Sequence, residues 1–288
     1  MKPSRFVYHD PATVDECVAL LVAHGEDAKP LAGGQSLVPL MNLRLSAPAV
    51  LVDLNRVAEL SYVFDDGATL AIGAMTRHRT VATSAAVRAA NPLLAHAASL
   101  IGYPAIRVRG TIGGSLAHAD PVSEFPCVAV ALGADLVTAG PAGRRTLAAS
   151  DFFRGYFTTA MEPGELLVEV RFPHLGGEVG WGFAELARKA GDYAVVAVAT
   201  AVTVRDGTIA SARIALAGVA DRPVRAASAE SALCGQPATA DSVASAAEAI
   251  AAEVTAGATR DLAFASHVAG VLGRRALTDA LDRAGSTR

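Results

Sequence analysis

The sequence predicts an α+β fold in two domains, and three observations carry that expectation. Up to about Pro173, short strand-like runs alternate with helical ones. A glycine-rich joint follows, Gly176 to Gly182. Beyond it the texture changes to a long hairpin, "AVVAVATAVTVRDGTIASARIALAGVA", and then three helical stretches. The expected domains are residues 1–175 and 176–288, the first dividing into two subdomains near residue 57.

"DPATVDECVALLVAHGED" predicts the first helix, because Thr13 and Glu16 have capping-box spacing and Gly25 supplies a stop. Val18, Leu20 and Leu21 are its expected apolar face. "KPLAGG" reads as a short strand entering a turn, and "VLVDL" and "TLAIGAMT" as strands. "TSAAVRAANPLLAHAASLI" is helical, with Pro92 at a break or first turn. "PAIRVRGTIGGS" reads as a strand-like run ending in a double glycine, and "DPVSEFPCVAVALGADLVTAG" as a helix leading into a strand. In the hairpin, Asp206-Gly207 supplies the turn. The closing helices fall near Ala226–Cys234, Ala240–Val254 and Ala263–Ala284.

Composition narrows the function classes. Of 288 residues, 52% are hydrophobic and 18% charged, which suits a packed globular protein rather than a disordered one. A net charge of −3 without a basic patch argues against a nucleic-acid partner. No apolar run reaches membrane-span length, and the start lacks the apolar stretch of a signal peptide, so a cytoplasmic location is expected. The three cysteines, Cys17, Cys127 and Cys234, lie far apart and read as buried free thiols. No clustered ligands for a metal or an iron–sulfur centre are present.

Two loops share one design: "LAGGQSL", Leu31 to Leu37, and "GTIGGSL", Gly110 to Leu116. Each offers consecutive glycine amides beside a hydroxyl, a pattern suited to an anion such as phosphate. Together they suggest the two halves of one pyrophosphate site. Neither the Walker pattern nor a helix-opening G-x-G-x-x-G occurs, so a P-loop or Rossmann nucleotide site is not expected. No Ser-His-Asp set and no paired carboxylates spaced for acid–base chemistry are legible, and no catalytic residue is predicted.

"LAGGQSLVPLMNLRL", "VDLNRV", "IGAMTRH", "RVRGTIGGSLAHADPVSE", "DFFRGYFTTAMEPGELLVEVRFP" and "RKAGDYAVVAVA" occur in the order found in a known family. On these motifs the chain resembles the FAD-binding medium subunit of the xanthine dehydrogenase/carbon monoxide dehydrogenase family of molybdenum hydroxylases. The resemblance runs over nearly the whole chain. It implies an FAD-binding domain of the PCMH (vanillyl-alcohol-oxidase-like) type, followed by the family's C-terminal flavoprotein domain. It also implies that Ala32, Gly33, Gly34, Gln35 and Ser36 form one pyrophosphate loop, flanked by Leu31 and Leu37, and that Thr111, Ile112, Gly113, Gly114 and Ser115 form the other. Glu124, where several relatives have Asp, is the implied partner of the FAD hydroxyls, with Asp120 as rival. Leu166 is implied to offer a backbone contact and Tyr193 to lie close to the flavin ring.

Plainer roles stand beside these. Thr111 and Ser115 also read as turn caps, Glu124 as a helix cap, and Tyr193 as strand packing. His78 reads as a surface histidine, with a place facing the flavin or a partner subunit as its alternative; His118 is open, and Arg107 and Arg109 divide between phosphate and ordinary salt bridges. The resemblance further implies electron transfer from [2Fe-2S] clusters of a partner through FAD to an external acceptor. The partners are a molybdopterin-binding large subunit and an iron–sulfur small subunit, paired as a dimer of heterotrimers. Substrate oxidation falls to the large subunit. The substrate classes are an N-heterocycle, an aromatic, an aldehyde or carbon monoxide, with "AGGQS" rather than "AGGHS" leaning slightly away from the last. A stand-alone FAD oxidoreductase of the same fold is the competing reading, and it would require a base beside the flavin.

Overall fold

A computed structural model describes residues 2–254 and 261–285. The chain opens with β1 (Val7–His9), α1 (Val14–His24), β2 (Ala28–Leu31), α2 (Leu37–Asn42) and β3 (Val50–Asp53). Helix α1 begins where the capping box requires: Thr13 accepts from the Glu16 amide, and the Glu16 carboxylate accepts from the amide of Ala12. Gly25, at φ 53°, ends it. The buried stripe is Val14, Cys17 and Leu21; Val18 and Leu20, expected on that face, are only half covered. Strands β1 and β2 both run parallel to β3 in a three-stranded sheet. The segments after β2 and β3 therefore leave one edge of the sheet side by side.

A second sheet follows. After β4 (Val63–Asp65) and β5 (Thr69–Gly73) come α3 (His78–Thr83), α4 (Ala85–Ala90), α5 (Pro92–Leu100), α6 (Pro104–Arg109), α7 (Ile112–His118) and α8 (Glu124–Leu132). Then come β6 (Asp135–Gly140), β7 (Gly143–Ala148), α9 (Ala149–Phe152), β8 (Phe153–Gly155), β9 (Thr158–Thr159) and β10 (Leu166–Pro173). The order β4-β5-β10-β6-β7 makes an antiparallel sheet. Pro92 takes the first position of α5, where its missing N–H costs nothing, and Asn91 caps the same turn. The run before the second glycine loop is helix α6, not the expected strand. Ile106 and Val108 alternate as in a strand, but Pro104 at the first turn suits a helix, and Gly110 closes it through its amide to the Ile106 carbonyl.

The last sheet is β11 (Val179–Ala187), β12 (Ala194–Arg205), β13 (Thr208–Ala217) and β14 (Val224–Arg225), antiparallel in that order. Asp206 and Gly207, at φ 51° and 73°, make the hairpin turn with both central residues left-handed. Helices α10 (Ala227–Leu233), α11 (Ala240–Glu253) and α12 (Leu262–Gly285) cover one face. Strand β12 is buried on both faces, and its composition divides accordingly. Val196, Val198 and Val202 pack with the domain's own helices, while Ala197, Ala199 and Ala201 pack with Phe125, Cys127 and Val128 of α8. The small side chains let α8 lie close, and the Cys127 thiol reaches the Ala215 carbonyl at 3.4 Å.

Gly180 and Gly182 belong to β11 rather than to a joint. A Cβ on Gly180 would sit 1.8 Å from the Ala280 carbonyl oxygen, and one on Gly182 1.9 Å from that of Ala276. These glycines admit α12 against the sheet. Cys17 and Cys127 are buried, but Cys234, at the end of α10, is exposed. No helix among the described residues is long and apolar enough to cross a membrane.

Candidate functional site

The two glycine loops, remote in sequence, touch. A Cβ on Gly33 would lie 2.3 Å from the Arg109 carbonyl oxygen and 2.8 Å from the Gly110 Cα. One on Gly114 would meet the Ala32 Cβ at 3.4 Å. Only bare backbone fits at Gly33, which explains that glycine independently of any ligand.

The loops use their amides differently. In the first, Gly34 takes φ 72°, its carbonyl accepts from the Val38 amide, and the Gln35 side chain folds back to the Gly33 carbonyl. The amides of Gly33, Gly34, Gln35 and Ser36 donate to no group among the described residues. Four adjacent donors without acceptors among the described residues suit an anion. In the second loop most amides are already engaged. Ile112 donates to the Thr76 carbonyl, Gly113 to Ala74, Gly114 to Thr111 Oγ1, and Ser115 to the Thr111 carbonyl. Thr111 is thus the N-cap of α7, as its plainer reading held. The Ser115 hydroxyl lies 3.3 Å from that of Ser123.

A cleft of about 380 Å³ opens at the first loop, lined by Leu31, Gly33, Gly34, Gln35, Val38, Pro39 and Arg109. Arg109 faces this cleft, whereas Arg107 turns back to the carbonyls of Ile101 and Gly102. Leu37 begins α2, half covered. Ile112 is fully buried, and Leu166 lies in β10, paired with Ala139 and packed beside α1. Neither of these two lines the cleft.

A second group gathers where α8 meets the last sheet. Burial of Glu124, reinforced by Glu185 and Asp120, pushes its carboxyl up to about 7. Burial likewise raises Glu185, whose Oε2 is buried without a hydrogen-bond partner among the described residues. Asp120 accepts from the Val122 amide. Tyr193, 63% exposed, stands at the head of β12. Partial burial raises its hydroxyl pKa, with Asp120 and Glu124 adding to the effect. Carboxylates short of donors suit a ligand that brings hydroxyl groups.

His78 is buried rather than at the surface. Its Nε2–H donates to the Thr111 carbonyl at 2.9 Å, its ring meets Phe125 edge-on, and burial pulls its pKa down to about 4. His118 rests against Phe157, ring centroids 5.0 Å apart. Two residues given no role by sequence reasoning, Asn55 and Arg77, connect the loops. Their motifs, "VDLNRV" and "IGAMTRH", were visible, but their pairing is tertiary. No group of three or more metal-ligating side chains occurs among the described residues.

Comparison with known proteins adds two family matches. Residues 4–175 match the FAD binding domain in molybdopterin dehydrogenase, and residues 181–280 the CO dehydrogenase flavoprotein C-terminal domain. The chain is 42% identical over 285 residues to the carbon monoxide dehydrogenase medium chain of Hydrogenophaga pseudoflava, covering 98% of this chain and 99% of that one. It is also 42% identical over 250 residues to the 6-hydroxypseudooxynicotine dehydrogenase complex subunit alpha of Paenarthrobacter nicotinovorans, covering 86% and 84%. A solved structure of carbon monoxide dehydrogenase from Hydrogenophaga pseudoflava superimposes with a TM-score of 0.95 at 43% identity, covering 98% of this chain and 99% of that one.

Proposed function

The chain belongs to the FAD-binding medium-subunit family of molybdopterin dehydrogenases, and from that premise we propose that its two touching glycine loops hold the pyrophosphate of FAD. It is an oxidoreductase subunit that carries FAD, working in a complex with a large and a small subunit. The molybdenum cofactor and the iron–sulfur clusters belong to those other subunits. When bound, the flavin supplies electron transfer between an iron–sulfur donor and an external acceptor.

The observation that carries the placement is the row of donors at Gly33 to Ser36, set against the second loop by backbone contact. Those amides bind phosphate oxygens without desolvating a lysine, and Gln35, folded onto Gly33, stiffens the turn. Ser36 and Ser115 add hydroxyls. Leu31, Ala32, Leu37 and Ile112 form the apolar walls behind the loops, and Leu166 contributes through its backbone. Glu124, with Asp120 as the alternative, accepts from the cofactor's hydroxyls. Tyr193 covers the ring and keeps water from it. The domains run over 1–175 and 176–288, with the cofactor between them. Assembly is a cytoplasmic dimer of heterotrimers.

The substrate is oxidised in the large subunit. It is an N-heterocycle, an aromatic, an aldehyde or carbon monoxide, and this chain's residues do not touch it. Gly34→Glu tests the placement. The new side chain meets Val38 at 3.1 Å at a left-handed φ and adds negative charge beside the cleft. Purified protein should lose its flavin absorption; a variant retaining one FAD per chain would contradict the site.

A further inference from the structure

The two glycine loops come from different sheets, the first following β2 of the three-stranded sheet and the second lying among the helices between β5 and β6. A single pyrophosphate spanning both demands a fixed spacing, yet no strand pairing among the described residues joins the two sheets. Beside the backbone contact at Gly33, side chains make the connection. Arg77 Nη1 donates to the Arg109 carbonyl at 2.6 Å, and Nη2 donates to Asn55 Oδ1 at 2.6 Å. Asn55 Nδ2 in turn donates to the Ala32 carbonyl at 3.1 Å, inside the first loop.

We propose that Arg77 and Asn55 form a clamp that sets the spacing of the two loops and so governs retention of FAD. This rests on the reading of those loops as the FAD site. Each end of the clamp is anchored in one sheet's loops. Asn55 leaves β3 beside the first loop, and its Oδ1 and Nδ2 face opposite partners. Arg77 is bridged to Thr111 at the second loop, with His78 N–H on the Gly110 carbonyl and Ile112 N–H on that of Thr76. The Arg109 carbonyl that Arg77 grips is the atom against which Gly33 packs. A guanidinium suits this task, because its two terminal nitrogens address two acceptors at once in a rigid plane. An ammonium would have to reach both acceptors from one nitrogen on a flexible stem, so it holds their spacing less firmly. Asp53 completes the clamp from below by accepting from the Asn55 amide and side chain.

The test uses the full-length chain loaded with FAD. Release is followed by the return of flavin fluorescence on dilution, and the thermal midpoint of the FAD-free chain is measured alongside. Arg77→Gln and Asn55→Ala should each release FAD about tenfold faster, as loss of a charge-assisted bond implies. The double variant should be little faster than either single one, because the residues act as a unit. Arg77→Lys should behave as Arg77→Gln, and the FAD-free midpoints should not move. Release at the unmodified rate in Arg77→Gln or Arg77→Lys overturns the clamp. So does release that tracks a fall in the FAD-free midpoint, since that marks a folding role. Gly34→Glu in the same assay separates the two ideas. If it loses FAD while Arg77→Gln does not, only the clamp fails. If it keeps FAD, the loop site itself fails.

Discussion

Glu124 and His78 are both buried beside the second loop, and burial gives them opposite pH responses. The Glu124 carboxyl is raised from 4.5 to about 7, so between those values the folded chain holds a proton that the unfolded chain releases. Its contribution to stability is present below pH 4.5 and lost as pH rises through 7. Glu124→Gln should therefore make the FAD-free chain more stable than the unmodified one at pH 8, by roughly 3 kcal/mol, while weakening FAD retention. Denaturant titrations at pH 5 and pH 8 check this, and an equal difference at both would contradict it. His78 falls from 6.5 to about 4, so here the unfolded chain binds the extra proton. Stability should decline as pH drops from 6.5 toward 4, and His78→Phe should flatten that part of the profile.

At the scale of elements, glycine and alanine set how closely layers approach. Gly182→Val would drive a side chain into the α12 backbone at Ala276. It should cost about 3 kcal/mol or more by overpacking. Calorimetry should show a lowered midpoint, and an unchanged midpoint would contradict the packing argument. In the sequence these glycines read as part of a joint, because their partner helix lies about a hundred residues later. Features that rest on neighbours in the chain were legible: the Thr13–Glu16 cap, Pro92 at a helix start, the Asp206-Gly207 turn. Helix α6 was not, because six residues with alternating Ile106 and Val108 carry no periodicity able to separate helix from strand. The glycine loops showed in the sequence, but their contact did not. Nor did the Arg77–Asn55 link, whose partners lie 22 residues apart, one in the turn after β3 and the other just before α3.

At the scale of the whole molecule, the candidate residues come from three parts of the fold. The segment after β2 supplies amides without acceptors among the described residues, the helices between β5 and β6 supply the opposing loop, and the last sheet brings Glu185 and Tyr193 near Glu124 and Asp120. The alanine face of β12 makes that approach possible, so small residues that resemble compositional bias have a structural task at the domain boundary. The most direct measurement is a crystal structure of this chain with FAD bound. The proposed site requires pyrophosphate oxygens within ~3 Å of the Gly33 to Ser36 amides, with the second loop against the other side. A pyrophosphate lying elsewhere, with those amides facing solvent, would contradict it.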